Sequence, residues 1–214
     1  MTTIAALNKL TGGLSNPSKM PGLGYGLPAK YCQFGSILAK QEGTVCTGCY
    51  ALRGRYLFKN VAEAQQRRWD ALHRDPEEWA INMAELIGKR TSREVPYFRW
   101  HDSGDLVSAG HLMLISAIAK ELPGINFWLP TRERGMVRQY LADGFFPENL
   151  NVRVSANKLR DVDTPEPGTT RSAVDYPLPI KVDERGATPS PVFNCPAPRQ
   201  KNECADCRAC WSPD

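Results

Sequence analysis

The sequence has no long apolar run. No stretch approaches the roughly 20 consecutive apolar residues of a membrane span. Residues 1–22, MTTIAALNKLTGGLSNPSKMPG, have a short apolar patch but neither the basic segment nor the full apolar run of a signal peptide. These absences exclude a membrane-spanning helix and favour a cytoplasmic protein without a membrane partner.

The chain also has little excess of either charge. Its 27 Lys and Arg residues against 23 Asp and Glu residues leave a formal net charge of +4. The basic residues are spread along the sequence, so the balance permits a phosphate-bearing partner such as nucleic acid without requiring one. Solvated helix faces are the ordinary reason for such charges. With 214 residues the chain is too short for two comfortable domains, and we expect one compact domain.

Cysteine, in contrast, is abundant. An odd number of cysteines in an apparently cytosolic chain favours metal or redox use over a disulfide framework. The seven cysteines form a group of three and a group of four: Cys32, Cys46 and Cys49, then Cys195, Cys204, Cys207 and Cys210.

Three interpretations of these cysteines are open. A zinc site would pair Cys46 and Cys49 with two later cysteines and leave three unused. Two [4Fe–4S] clusters would use all seven, because Cys-x-x-Cys-x-x-Cys is a spacing with which a loop wraps one face of a cubane and Cys195 can supply the fourth thiolate. Free thiols are the third possibility. In the iron–sulfur interpretation, three thiolates leave one iron of the first cluster open to a substrate or cofactor.

Strand and helix signals alternate between the two groups. Predicted strands cover residues 95–101, 125–130 and 151–156, and predicted helices cover residues 60–74, 106–122 and 133–142. A further predicted helix is capped at Asp75 and carries Trp79, Met83, Leu86 and Ile87 on one face. The alternation predicts an α/β protein with a parallel sheet, which is either an open sheet or, as a family resemblance given below implies, a partial parallel (β/α) barrel. In the helix at 60–74, Asn60 is the expected cap and the expected inner face is Val61, Ala64, Trp69 and Leu72.

We expect three segments within this domain. Residues 1–160 form the α/β core that holds the first cysteine group, and residues 161–191 form an irregular loop with one short strand at 179–182. Residues 192–214 form a cysteine-rich tail packed on the core.

Polar residues that follow the strands are the candidates for chemistry, because function gathers at the carboxyl ends of parallel strands. These segments are 101–105, 131–134 and 155–158. Ser103 and Asp105 have an alternative role as caps of the helix predicted to begin near Leu106. Adjacent strand residues point to opposite faces, so a catalytic pair of His101 and Asp102 is not expected. His111 is expected to be an exposed or dipole-satisfying helical residue.

An ordered set of motifs spans most of the chain: SNPSKMPG, LPAKYC, VCTGCYALRGRY, FRWHDSGDL, FWLPTR and the CxxCxxCW of the tail. Together these motifs resemble the gene product 88 family of phage and prophage proteins. That family in turn resembles the radical SAM enzymes, which bind a four-iron cluster through three cysteines and use S-adenosylmethionine on the open iron. The resemblance implies a radical-SAM-like partial parallel barrel in the cytoplasm of the host cell.

Carried over by position, the resemblance implies an open [4Fe–4S] cluster on the first three cysteines with Tyr50 beside it. The turn at 103–105 would meet the methionine amino group of S-adenosylmethionine, Arg132 would face its carboxylate, and polar residues after the last strand would contact its carboxylate or ribose. The implied cofactor-binding residues are Tyr50, Ser103, Gly104, Asp105, Arg132, Ser155 and Asn157.

The expected function is therefore a redox enzyme with a second, four-cysteine [4Fe–4S] cluster. Its substrate is unknown, and its electron donor would be a protein such as a flavodoxin or ferredoxin. Two alternatives are a zinc-stapled phage protein that binds nucleic acid or protein and an iron–sulfur sensor without turnover.

Overall fold

A computed structural model describes residues 2–158, 166–172, 195–197 and 200–212. Five strands form one sheet, lie side by side in chain order, and are parallel at every neighbouring pair. They are β1 (Leu23–Tyr25), β2 (Tyr97–Trp100), β3 (Asn126–Thr131), β4 (Leu150–Ser155) and β5 (Thr170–Ser172). The prediction of an α/β protein with a parallel sheet is confirmed.

Helices pack on one face of this sheet. Alternate residues of the strands, such as Phe98 and Trp100 of β2, point to the same face and share a buried core with Trp79 and Leu112 of two helices. The described α-helices are α1 (Ile4–Thr11), α2 (Gln33–Leu38), α3 (Lys59–Arg74), α4 (Pro76–Arg90), α5 (Ala109–Glu121) and α6 (Arg134–Asp143). No helix in the described part of the chain is long and apolar enough to cross a membrane.

The described tail residues cover the opposite face of the sheet. Trp211 packs edge-on against Tyr97 and Trp128, with ring centroids 5.5 and 5.3 Å away. Its Nε1 donates a hydrogen bond to the carbonyl oxygen of Phe98 at 2.9 Å. The side chains of Asn151 and Arg153 in β4 donate to backbone carbonyls of residues 209–212. The sheet thus has helices on one side and residues 209–212 on the other.

The helix at 76–90 follows its sequence signals. Asp75 caps it by accepting a hydrogen bond from the backbone N–H of Glu78 at 2.9 Å, as its position before Pro76 predicts. The predicted inner face is buried, with Trp79, Met83, Leu86 and Ile87 all almost inaccessible to solvent.

The preceding helix differs from its prediction. It begins at Lys59, so Asn60 lies inside it and is not the cap. Its buried residues are Gln65, Arg68, Ala71 and Leu72, and of the predicted inner face only Leu72 is buried. Burial of the two polar side chains is tolerated because each makes a hydrogen bond to a loop next to a strand. Arg68 Nε donates to the carbonyl oxygen of Gly13, and Gln65 Nε2 donates to Ser103 Oγ.

Short elements escaped the sequence prediction. α1, β1 and β5 were not expected, and the two strands contain only three residues each, too few for a clear alternation. β5 lies within the segment predicted to be an irregular loop, and its backbone pairs with β4. The strand predicted at 179–182 lies outside the described residues.

Candidate metal centres

The first three cysteines lie in the connection that follows β1, residues 26–58, here called the cysteine loop. Cys32 stands between a short 3-10 helix and α2. Cys46 and Cys49 flank a tight turn, in which the N–H of Cys49 donates to the carbonyl oxygen of Cys46 at 3.2 Å. A second short 3-10 helix then begins at Tyr50.

Hydrogen bonds hold the cysteine loop against the ends of three other strands. The hydroxyls of Tyr50 and Tyr56 donate to the carbonyl oxygen of Asp102, two residues after β2, at 2.8 and 3.1 Å. The backbone N–H of Phe34 donates to Glu133 Oε1, just after β3, at 2.9 Å. After β4, the carbonyl oxygen of Asn157 accepts from the N–H of Val45 at 3.1 Å. The loop therefore lies over the carboxyl edge of the sheet.

Gly35 of α2 lies beside two of the thiols. A Cβ atom added to it would lie 3.1 Å from Cys32 Cβ, 3.9 Å from Cys32 Sγ and 3.8 Å from Cys46 Sγ. Both sulfur atoms therefore lie on the side of α2 that carries Gly35. Cys49 is near enough to affect the protonation of both Cys32 and Cys46. The fold thus brings Cys32 to the Cys46–Cys49 turn.

Burial disfavours the thiolate forms of these cysteines. Burial, the carboxylate of Asp105 and the other two thiols of the loop raise the pKa of Cys32 to about 12. Burial is also the main reason that the pKa of Cys46 is raised, and the cation of Arg132 opposes that rise. A positively charged group bound at the sulfur atoms would favour the thiolate forms.

Asp105 links the ends of β2 and β3. Its half-buried carboxylate accepts hydrogen bonds from Thr131 Oγ1 at 2.6 Å, the N–H of Arg132 at 2.9 Å and the N–H of Leu106 at 2.8 Å. Burial raises its pKa although these three bonds favour the charged form. The alternative role as a helix cap is wrong, because α5 begins at Ala109. The cap of that helix is Ser108, which lies three residues beyond Asp105.

The two residues before Asp105 hold the start of the cysteine loop. Ser103 Oγ donates to the carbonyl oxygen of Leu27 at 2.9 Å and accepts from Gln65 Nε2 at 2.6 Å. Gly104 has φ +75°, and a Cβ atom there would lie 2.7 Å from the carbonyl oxygen of Leu27. Ser103 therefore does not cap α5 either, and Gly104 is required by a close backbone approach.

Two of the other predicted residues keep buried polar atoms that have no hydrogen-bond partner among the described residues. These atoms are Arg132 Nε and Asn157 Oδ1, a donor and an acceptor beside the cysteine loop. Ser155 differs, because its hydroxyl lies 3.0 Å from that of Ser172 and links β4 to β5. Tyr50 is 60% exposed, with its ring 5.7 Å from that of Tyr56.

His101 and His111 form a buried pair behind this edge. Their rings lie 5.5 Å apart, and no ring nitrogen of either has a hydrogen-bond partner in the described part of the chain. His101 adopts φ +51°, an uncommon left-handed conformation for a residue other than glycine. The expectation that His111 is exposed or satisfies a helix dipole is wrong, because α5 turns it into the core against Trp79.

The four tail cysteines form a second group. The N–H of Cys204 donates to the carbonyl oxygen of Lys19 at 2.9 Å, and Lys19 Nζ donates to the carbonyl oxygen of Lys201 at 2.8 Å. Burial raises the pKa of Cys210 to about 11. Cys195 and Cys204 add to this rise, whereas the cations of Arg153 and Arg99 oppose it.

None of the seven cysteines forms a disulfide. A family model described as Gene product 88 matches residues 2–213. The chain belongs to the gene product 88 family. No curated protein and no solved structure gave a match. Membership confirms the motif resemblance for this gene product 88 protein, and the further relationship to radical SAM enzymes stays a prediction.

The thiols of this gene product 88 protein do not converge on a single point. Among the described residues, no three His, Cys, Asp or Glu side chains are placed to hold one metal ion. A four-iron cluster requires a wider arrangement than one zinc ion, because each thiolate binds a different iron.

The sequence did not identify three residues that hold the cysteine loop or its neighbouring turn in place: Glu133, Tyr56 and Gln65. Glu133 and Tyr56 lay inside segments that were singled out, TRER after β3 and the VCTGCYALRGRY motif, but their bonds to the cysteine loop needed the folded chain. Gln65 gave no signal, because a glutamine on a polar helix is ordinarily exposed.

Proposed function

We propose that this gene product 88 protein is a radical-SAM-like iron–sulfur redox enzyme of the host cytoplasm. One [4Fe–4S] cluster would be held by Cys32, Cys46 and Cys49, and a second by Cys195, Cys204, Cys207 and Cys210. The position of the cysteine loop, which carries all three cysteines and is hydrogen-bonded over the carboxyl edge of a parallel sheet, carries the proposal. Chemistry in such folds gathers at that edge.

The residues present fit a cluster at the first site. Cys32 Sγ and Cys46 Sγ both lie within 4 Å of the point where a Cβ atom of residue 35 would stand, and a cationic group bound at these sulfur atoms would favour their thiolate forms. Three thiolates without a fourth cysteine leave one iron open, and a cluster of this kind supplies an electron to a molecule bound there.

The chain's own polar groups would bind and orient that molecule, for which we propose S-adenosylmethionine. Arg132 offers a cation and a buried Nε donor, and Asn157 offers a buried Oδ1 acceptor. Asp105 fixes the backbone of Arg132 by accepting its N–H. Tyr50 and Tyr56 hold the cysteine loop over the strand ends through their hydrogen bonds to the carbonyl oxygen of Asp102.

The strand order supports a partial barrel. Successive parallel strands that lie side by side without reversal, as β1 to β5 do, are the arrangement from which (β/α) barrels are built. Helices on one face and tail residues on the other agree with a barrel wall whose inner side is filled by the tail.

Metal analysis tests the proposal. Protein purified without oxygen is assayed for iron, acid-labile sulfide and zinc per chain. We expect about eight irons and eight sulfides. Cys49→Ala and Cys207→Ala should each remove about half, because each variant disrupts one centre. About one or two zincs with little iron would instead support the zinc-stapled binding protein and overturn the proposal.

A pair of glycine variants tests whether a cluster occupies the first site. Gly35→Val would press a side chain against Cys32 and place it in contact with the sulfur atoms of Cys32 and Cys46, and we expect it to lower the iron content. Gly48→Val is the matched control, because Gly48 lies between Cys46 and Cys49 but a Cβ there meets nothing within 4 Å. Equal iron content in both variants would place the cluster elsewhere.

An assay of S-adenosylmethionine cleavage distinguishes an enzyme from an iron–sulfur sensor. With a chemical reductant or a reduced flavodoxin or ferredoxin and no oxygen, we expect the protein to cleave S-adenosylmethionine and Cys49→Ala to lose that activity while it keeps the tail cluster's absorption. Iron-loaded protein that never cleaves S-adenosylmethionine would contradict the radical-SAM-like part of the proposal and favour a sensor.

A further inference from the structure

A cleft of about 600 Å³ lies away from the cysteines, between α1, α3 and the start of β1. Its lining includes Leu23, the first residue of β1, and Arg90, the last residue of α4, after which the chain leads to the start of β2. The cleft thus lies near the edge where strands begin, whereas the cysteine loop lies over the edge where they end. Its volume suits a small molecule, for which sites of roughly 300–1,000 Å³ are usual.

The cleft is strongly basic. Among the described residues that line it, the one carboxylate is that of Asp70, and the cationic side chains are Lys9, Arg67, Arg68, Arg74 and Arg90. Charges that are spread along the sequence are therefore brought together from three helices. A concave surface lined by one sign of charge attracts ions of the opposite sign.

Most of these cations are available to a ligand. The four exposed ones, Lys9, Arg67, Arg74 and Arg90, make no ion pair and no side-chain hydrogen bond with another described residue. The carboxylate of Asp70 instead accepts a hydrogen bond from Gln66 Nε2 at 2.9 Å. Asp70, the acidic residue of the cleft, therefore forms no ion pair with these exposed cations.

Arg68 fixes the inner wall of the cleft. Its Nε donates to the carbonyl oxygen of Gly13 at 2.8 Å, and its guanidinium lies 5.5 Å from the centre of the Tyr25 ring. Gly12 has φ +81°, and a Cβ atom there would lie 2.5 Å from Arg68 Cα. This close approach holds the end of α1, which carries Lys9, directly against α3.

We propose that this basic cleft binds the phosphate groups of a nucleotide-sized ligand. The planar guanidinium group matches phosphate oxygens with paired N–H donors, so several arginines in one cleft favour phosphate over other anions. Asn8 and Asn16 in the same lining add amide donors and acceptors for the rest of the molecule. No cysteine lines the cleft, so this site is independent of the proposed metal centres.

Calorimetric titration with pyrophosphate, ATP and adenosine tests the site on the protein as purified. We expect pyrophosphate and ATP to bind, adenosine not to bind, and affinity to fall as salt is raised. The double variant Arg67→Gln/Arg74→Gln should weaken both phosphate ligands by at least about tenfold, since hydrogen bonds to charged groups are worth that much or more. Lys120→Gln, an exposed cation on α5 outside the cleft, is the control and should bind as the wild type does.

Three results would overturn the proposal: adenosine binding as tightly as ATP, unchanged phosphate affinity in the double variant, or binding of a short single-stranded oligonucleotide without binding of pyrophosphate or ATP. Melting temperatures of the variants are measured in parallel. If the double variant melts early, Arg90→Gln on another helix of the cleft provides the same comparison.

Discussion

The backbone N–H of Phe34 donates a hydrogen bond to Glu133 Oε1 at 2.9 Å, across 99 residues of sequence. This bond ties α2, which follows Cys32, to the end of β3. Glu133→Ala leaves the amide unpaired in a largely buried place, so we expect a loss of about 1–3 kcal/mol in the free energy of unfolding and a lower iron content. Glu133→Gln keeps the acceptor oxygen and should stay near the wild type in urea unfolding and iron assays. Equal losses in both variants would show that the charge matters and the hydrogen bond does not.

The hydroxyl of Tyr56 should contribute to the order of the cysteine loop. Burial raises its pKa, so the hydroxyl stays protonated at neutral pH and donates to the carbonyl oxygen of Asp102. Tyr56→Phe should therefore increase amide hydrogen exchange in residues 46–58, corresponding to about 0.5–1.5 kcal/mol of local stability. Tyr50→Phe removes a similar bond from a more exposed side chain and should have the smaller effect. Exchange that is unchanged in Tyr56→Phe would contradict this role.

Gly104 should tolerate no side chain. Gly104→Ala would combine a left-handed backbone with a Cβ 2.7 Å from the carbonyl oxygen of Leu27, and we expect it to lower the free energy of unfolding by about 1–3 kcal/mol or more. Gly135→Ala in α6 is the control, because its Cβ meets nothing within 4 Å and alanine favours a helix by about 0.5–1 kcal/mol. The two variants should shift the melting temperature in opposite directions.

Acid should destabilise the fold through its buried histidines. Burial lowers the pKa of His111 to about 3 and that of His101 well below its ordinary value of 6.5. Below pH 6.5 these two histidines are protonated in the unfolded chain but stay neutral in the folded protein, so the unfolded state binds more protons. Stability therefore falls as the pH drops from 6.5 towards about 3, by up to about 1.4 kcal/mol per pH unit for each histidine.

Denaturant unfolding at pH 7.5 and pH 5 measures this effect. His111→Phe should reduce the loss between the two pH values by about 2 kcal/mol, which is the share of one histidine over the interval below pH 6.5. His73→Gln is the control, because His73 is exposed on α3. An identical pH dependence in wild type and His111→Phe would contradict the assignment.

Trp211 should hold the described tail on the sheet. Trp211→Ala removes a buried ring and its bond to the carbonyl oxygen of Phe98, which together should cost about 3–5 kcal/mol of docking energy. We expect faster proteolysis within residues 200–212 and loss of about half of the iron, with the loop centre retained. Trp211→Phe keeps much of the packing and should lie in between. A tail that resists protease in Trp211→Ala would show that other contacts suffice.

The long strands could be predicted because their local signals agree with their environment. β2, β3 and β4 are apolar and aromatic runs between turn-forming residues, and each was located to within a few residues. β1 was missed because three residues with a glycine in the middle carry too little pattern. The meeting of the strand ends followed from the topology of parallel sheets, which needs no coordinates.

The hydrogen-bond partners of polar side chains could not be predicted where those partners are far away in sequence. Nothing near Arg68 in sequence shows that it bonds to Gly13, and nothing near Asp105 shows that Thr131 and not a helix N-terminus is its partner. Helix capping is predicted from nearby sequence, whereas Asp105 instead accepts a hydrogen bond from a residue on another strand. The basic cleft was missed for the same reason, since its cations come from three helices that only the folded chain brings together.

The position of Trp211 also has a consequence for biosynthesis. The five described strands are translated before residues 200–212, so the face that carries Tyr97 and Trp128 forms while Trp211, which packs on it, has yet to emerge from the ribosome. During that interval this aromatic surface lacks the cover of Trp211 and can contact other nascent chains. The rate at which the tail docks therefore decides how long each new molecule is exposed to aggregation.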